Sequence, residues 1–280
     1  MILSTTRFPL ALPMPPPNIV AILNVTPDSF VDGGTWNTPK AALERARQCV
    51  EEGADIIEIG GESTGPGSPE VSSEEELQRV LPVLRLIRDS FPEVRLSVDT
   101  YKALVASECV KAGASMINDV TAGRGDNDMF KVMAESRCDY VFMYAKDHSP
   151  RTTREERHYE NVIVTVMTFL RERRAEAITA GIAPEHLIVD PGLGHFVSSD
   201  PQYSYHILRE LRAFTALGRV FISPSRKSFL AGNRQLSVSE RLPATLAASI
   251  IAAQNGASFI RTHDVAQTKS ALDLLSAVQH

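Results

Sequence analysis

One alternation, repeated eight times, governs what this chain can fold into. A short, nearly continuous apolar run rich in β-branched residues is followed by a longer segment of helical spacing. The runs lie at 19–24, 54–61, 95–100, 115–120, 140–145, 186–191, 219–224 and 258–263. Strands that are apolar on both faces must be covered on both faces, as in parallel sheets flanked by helices. The intervening segments at 39–52, 73–90, 161–180 and 239–255 read as helices, the last opening on a capping-type Ser239-x-x-Leu242. Gly53, Gly113, Gly181 and Gly256 each stand just past a helical run, where a glycine C-cap belongs. Eight such units predict a single-domain (β/α)8 TIM barrel over 19–280, preceded by an irregular leader at 1–18. An open doubly wound sheet is the structural alternative. No GxGxxG follows the first run, which counts against a dinucleotide-binding sheet.

In such barrels chemistry gathers at the C-terminal ends of the strands. Here every end is polar. Asn24 closes the first run and Glu62-Ser63-Thr64-Gly65 the second. Asp99 ends the third, Asn118 and Asp119 the fourth, Met143 with Lys146 the fifth. Asp190 ends the sixth, Ser225-Arg226-Lys227 follows the seventh, and Arg261 and His263 belong to the eighth. Taken singly, such residues cap helices or make turns, and Asp28, Asp32 and Ser73 need be nothing more. Taken together, acids and an amide at three ends suit the donor edge of a heterocycle, and bases at two ends suit anions.

Charge and cysteine usage narrow the classes. The net charge of −5 offers no stripe for nucleic acid, and the basic residues 171–174 alternate with acids as on a solvated helix face. Cys49, Cys109 and Cys138 lie far apart, without metal or disulfide spacing. The apolar stretch 8–14 is too short and too broken by proline for a signal peptide or membrane span, so a cytoplasmic protein is expected.

Seven motifs then carry a resemblance along nearly the whole chain: ILNVTPDSF at 22–30, GADIIEIGGEST at 53–64, SVDTYKA at 97–103, GASMINDV at 113–120, DPG at 190–192, SRKSF at 225–229 and RTHDV at 261–265. In this order, each on a predicted strand end, they resemble the dihydropteroate synthases. The resemblance implies condensation of 6-hydroxymethyl-7,8-dihydropterin diphosphate with p-aminobenzoate, with diphosphate leaving. It places Asp99, Asn118, Met143, Asp190 and Lys227 on the pterin, with Asp99, Asp190 and Lys227 as the catalytic set. Asn24, Arg261 and His263 would hold the diphosphate, Asn24 beside a magnesium ion. Thr64, Ser225 and Arg226 would border the p-aminobenzoate. A homodimer is implied, for which the apolar faces of the last two helices, 246–253 and 271–278, are the expected surface. The loops at 25–38 and 62–72 are candidate lids, with Asp28, Ser29 and Phe30 in the first.

The chain departs from the family pattern in places. Gly65 stands where an arginine is usual, and Met143-Tyr144-Ala145 replaces Met-His-Met. The turn after DPG, Leu193 to Ser198, is more similar to the plasmid-type, sulfonamide-insensitive branch. Glu58 stands where aspartate is common. Two other readings share the barrel. A methyltetrahydrofolate–corrinoid methyltransferase would not need Lys227 or the Arg261–His263 pair. A paralogue with altered acceptor chemistry would be consistent with Gly65.

Overall fold

The computed structural model describes residues 15–26 and 38–279. Eight parallel strands pair in chain order and close on themselves: β1 Asn18–Asn24, β2 Ile56–Gly60, β3 Arg95–Asp99, β4 Met116–Asp119, β5 Asp139–Met143, β6 Leu187–Asp190, β7 Arg219–Ile222 and β8 Phe259–Thr262. Around them stand α1 Pro39–Glu51, α2 Ser73–Ser90, α3 Ala103–Lys111, α4 Met129–Glu135, α5 Val162–Thr179, α6 Pro201–Arg209, α7 Leu242–Gln254 and α8 Val265–Gln279. The barrel expected from the sequence is therefore the fold.

The period of two along a strand sorts each run into an outer and an inner set. Outward residues such as Ile57, Ile59, Leu96, Val98, Ile117 and Val189 join the helix faces in one large core with Val80, Leu84, Val105 and Val166. Inward, Val20, Ile56, Met116, Val141, Ile188, Phe221 and Phe259 make a separate apolar plug. Burying each such side chain contributes roughly 1.5–3 kcal/mol, so the plug gives the barrel a solid floor. On the same inward parity, toward the C-terminal ends, the side chains turn polar: Glu58, Ser97, Asp99, Asn118, Asp190 and Arg261.

Local signals set the boundaries. Thr38 caps α1 with Pro39 as its first residue, and the Ser72 hydroxyl accepts from Glu75 N at 3.2 Å to start α2. The predicted helix at 239–255 begins differently. Val238–Arg241 forms a 3-10 turn, and the helix proper starts at Leu242. Ser237, not Ser239, is the cap, because the Glu240 carboxylate reaches back to its backbone N at 2.9 Å in a capping box. Gly53, Gly113, Gly181 and Gly256 all have φ between 94° and 106°, the left-handed conformation their cap positions require. Most of the 1–18 leader, and Asp28, Ser29 and Phe30, lie outside the described residues.

Candidate active site

Register brings the predicted residues to one rim. Asn24 is level with Gly60, Gly60 with Asp99, Asp99 with Asn118, and Met143 with Asp190. Gly60 carries no side chain for a reason: a Cβ there would lie 3.1 Å from Asn24 Oδ1. The missing methyl leaves the Asn24 amide room at the mouth.

The centre of the site is an ion cluster. Arg261 Nη2 donates to Asp99 Oδ2 at 2.8 Å, and Arg261 Nε donates to Glu58. Glu58 is fully buried and also accepts from Ser97 Oγ at 3.0 Å and from Asn118 Nδ2 at 3.2 Å. Burial pushes the Asp99 carboxyl up to about 7, against the pull of Arg261. Burial also opposes the charge on Arg261, yet the Glu58 and Asp99 carboxylates outweigh it and hold that group above its usual range.

Across the mouth, Asp190 Oδ1 accepts from Gly192 N at 2.8 Å. Gly192 has φ +73°, and a Cβ on it would meet Tyr144 O at 2.5 Å, so only glycine fits this turn. Burial raises Asp190 to about 6, while Lys227 opposes the shift. Lys227 Nζ lies 5.1 Å from the centre of the Phe196 ring and 3.5 Å from Leu193 O. Burial lowers it to about 8, with Asp190 working the other way. Met143 is buried with Val120 and Ala145 against Phe196, a small apolar wall beside these charges.

His263 is a different kind of group from the cation that sequence suggested. Burial, and then Arg261, depress its ring to about 3, so it is neutral at physiological pH. Ser225 Oγ accepts from His263 N at 3.2 Å and lies 3.0 Å from Nδ1. With the Ser225 hydroxyl donating its proton to Nδ1, the neutral ring carries its own on Nε2, which is then the donor. Arg226 is paired through two nitrogens with Asp264, Nε at 2.9 Å from Oδ2, and its backbone N donates to Thr245 Oγ1 at 3.0 Å. It therefore stands as a fixed wall with its charge balanced.

Lys227, Arg226, Arg261, His263 and Ser225 line a cavity of about 350 Å³ together with Arg241 and His195. Among the described residues that line it, four are Arg or Lys and none is Asp or Glu. Such a lining suits anions. Asp99, Asn118 and Asp190 do not line it; Arg261, which does, carries the connection to Asp99 and Glu58.

Thr64 belongs to a loop that is fastened on both sides. Lys102 Nζ donates to Glu62 at 2.5 Å, to Glu76 at 2.6 Å and to Val71 O at 2.7 Å. From the loop after β5, Arg151 pairs with Glu62 and donates to Ser68 O at 3.1 Å and Pro69 O at 2.9 Å, while Thr152 N donates to Thr64 O at 3.2 Å. The segment read from sequence as a lid is thus pinned in this conformation, and a guanidinium from elsewhere serves the stretch where Gly65 replaces arginine. Lys102, Arg151 and Arg241 were not picked out from sequence, and Glu58 was noted there as a departure from the family pattern without a role in the site. A lone acid inside the apolar run of β2 was the one available signal, and it pointed to Glu58.

Comparison with known proteins agrees with this geometry. The sequence profile of the pterin binding enzymes matches residues 20–263. The chain is 40% identical over 262 residues to the dihydropteroate synthase of Escherichia coli K12, covering 93% of this chain and 91% of that one. Its fold superposes on the Yersinia pestis dihydropteroate synthase solved with a sulfonamide drug complex, with a TM-score of 0.89, 35% identity and 94% of both chains covered. It also matches the Xanthomonas albilineans dihydropteroate synthase solved with 4-aminobenzoic acid, with a TM-score of 0.86, 39% identity, and 94% and 93% of the two chains covered.

Proposed function

The chain belongs to the pterin binding enzyme family, and on that premise we propose that it joins 6-hydroxymethyl-7,8-dihydropterin diphosphate to p-aminobenzoate, giving 7,8-dihydropteroate and diphosphate. The observation that carries this reading is the junction of two chemistries at one mouth. Acids and an amide, Asp99, Asn118 and Asp190, adjoin a cavity whose described lining holds four cations and no carboxylate. The first set suits the N–H edge of a 2-amino-4-oxo pterin, and the second suits a diphosphate and a benzoate.

In this reading Asp99, Asn118 and Asp190 accept hydrogen bonds from the ring, Lys227 donates to it, and Met143 packs against it. Arg261, neutral His263 through Nε2–H, and Asn24 hold the diphosphate. Thr64, Ser225 and Arg226 border the aminobenzoate. The methylene–oxygen bond breaks and its electron pair leaves with the diphosphate. Positive charge spreads from the methylene into the pterin, where the Asp99 carboxylate stabilises it. The arylamine nitrogen then forms the new bond to the methylene and sheds a proton to solvent. No side-chain nucleophile is required.

Magnesium is part of the same proposal. Among the described residues no group of three His, Cys, Asp or Glu side chains could hold a metal ion. Asn24 offers one amide oxygen, in the space that Gly60 leaves at the mouth. One protein oxygen fits an ion that arrives on the diphosphate, because magnesium keeps several waters and takes phosphate oxygens readily. Held there beside Asn24, magnesium would supply positive charge to the leaving diphosphate.

A homodimer through α7 and α8 is also proposed. Ile251 is 43% exposed, Leu274 66% and Val278 76%, on two helices that pack side by side. A cytoplasmic location fits three cysteines that lie buried and far apart in the sequence, and no described helix is long and apolar enough to cross a membrane.

Chromatographic detection of 7,8-dihydropteroate from the two substrates tests the reaction. Product is expected with both substrates present. Its absence from a protein that still binds 6-hydroxymethylpterin would refute the reaction while leaving the pterin site standing.

A further inference from the structure

We propose that Glu58 is a positioning residue that fixes which way round Asn118 presents its amide, and so selects a ring bearing an N–H donor at that edge. The inference rests on reading the site as a pterin site.

Glu58 sits in mid-β2 on the inward side, with no exposed surface. Three donors converge on its carboxylate: Ser97 Oγ at 3.0 Å, Asn118 Nδ2 at 3.3 and 3.2 Å to its two oxygens, and Arg261 Nε. Arg261 supplies the counter-charge that a buried carboxylate needs. An ionised carboxylate only accepts, so the nitrogen end of the Asn118 amide, not its oxygen, must face Glu58. The Asn118 oxygen is thereby turned away. It accepts no hydrogen bond among the described residues, and it is not among their sealed, unpartnered atoms. A free amide carbonyl at this position calls for a donor from the ligand, which is what the ring N–H groups of a pterin offer. With a neutral amide at 58, either orientation of Asn118 would be satisfied and the selection would be lost. The same carboxylate holds Arg261 by Nε while Asp99 takes Nη2, so one buried acid orients both a pterin contact and a cation of the cavity.

The test is a double-mutant cycle on the full chain, reading 6-hydroxymethylpterin affinity by calorimetry for the native protein, Glu58→Gln, Asn118→Ala and the double variant. Each single change is expected to weaken binding about tenfold, and the double variant to bind about as Asn118→Ala does, because Glu58 acts through Asn118. Native-like affinity in Glu58→Gln, or losses that multiply in the double variant, would overturn the proposal. Circular dichroism checks that the variants fold. Should Glu58→Gln not fold, asparagine-labelled native protein decides. The Asn118 Nδ2 protons, assigned by their loss in Asn118→Asp, are expected to be protected from solvent exchange before ligand is added. Free exchange would overturn the proposal. Failure of the native chain to bind 6-hydroxymethylpterin would instead bring down the functional reading, and this inference with it.

Discussion

Arg261 and Asp99, 162 positions apart in the chain, meet at 2.8 Å inside the barrel, where Arg261 also holds Glu58. Closure of the barrel makes this contact, since β8 and β3 are not neighbours in the sheet. The pair gives Asp99 a counter-charge while leaving its side chain 18% exposed.

Asp99→Asn should therefore spare the fold and damage the chemistry. Arg261 keeps Glu58, and the amide fills the same volume. The lost charge-assisted contact and the lost stabilisation of the methylene cation should lower kcat/KM roughly 100-fold, or about 3 kcal/mol. Steady-state kinetics beside a thermal melt separates the two effects. Unchanged kcat/KM would remove Asp99 from the mechanism.

The pH dependence follows from two raised acids and one lowered base. Asp190 is pushed up to about 6 and Asp99 to about 7, both by burial. Each must be ionised to accept a ring N–H, so kcat/KM should climb as pH rises through 6 to 7. Lys227 is pushed down to about 8, also by burial, and its proton should be lost above that pH. The profile should be bell-shaped with its top between about 7 and 8. A flat profile across this range would contradict the assignment.

Lys102 carries no direct role in the reaction, and its removal should be felt in stability. It is 8% exposed and bonded to both Glu62 and Glu76. Lys102→Met leaves buried Glu76 without its cation and Glu62 with Arg151 alone, a loss of about 3–5 kcal/mol. Calorimetry should find the melting midpoint lowered by roughly 10 °C. A shift of a degree or two would mean that the loop after β2 is held by Arg151 alone.

Gly192→Ala tests the turn that carries Asp190. The added methyl meets Tyr144 O, and φ of +73° disfavours any side chain. The strain alone amounts to roughly 1–2 kcal/mol, and the clash must move the backbone next to Asp190. Weaker pterin affinity together with a lowered melting midpoint is expected. Native affinity would show that Asp190 is not placed by this turn.

Much of this site was open to reading in the sequence, and the reasons are physical. Asp99, Asn118 and Asp190 end apolar runs, so one glance at strand polarity finds them. Glu58 lies inside such a run, and its meaning depends on Asn118 and Arg261, which only barrel closure brings near. Arg151 and Lys102 are a similar case, because fastening a loop takes partners from other loops. The start of α7 was misplaced because the stretch Ser237-Val-Ser239-Glu240 offers two serine caps, and the choice is made by the side chain of Glu240.

The exposed apolar side chains of α8 give a test of assembly. Leu274→Glu should convert a dimer to a monomer in light scattering after size exclusion, with little change in far-ultraviolet dichroism. A native protein that is already monomeric at micromolar concentration would contradict the proposed interface.

The most direct test of the account is release of diphosphate from 6-hydroxymethyl-7,8-dihydropterin diphosphate with magnesium, with and without p-aminobenzoate, in the native chain and in Lys227→Ala. The account predicts release that depends on p-aminobenzoate in the native chain and falls at least about 100-fold in the variant. Release that ignores p-aminobenzoate, or that persists undiminished without Lys227, would contradict it.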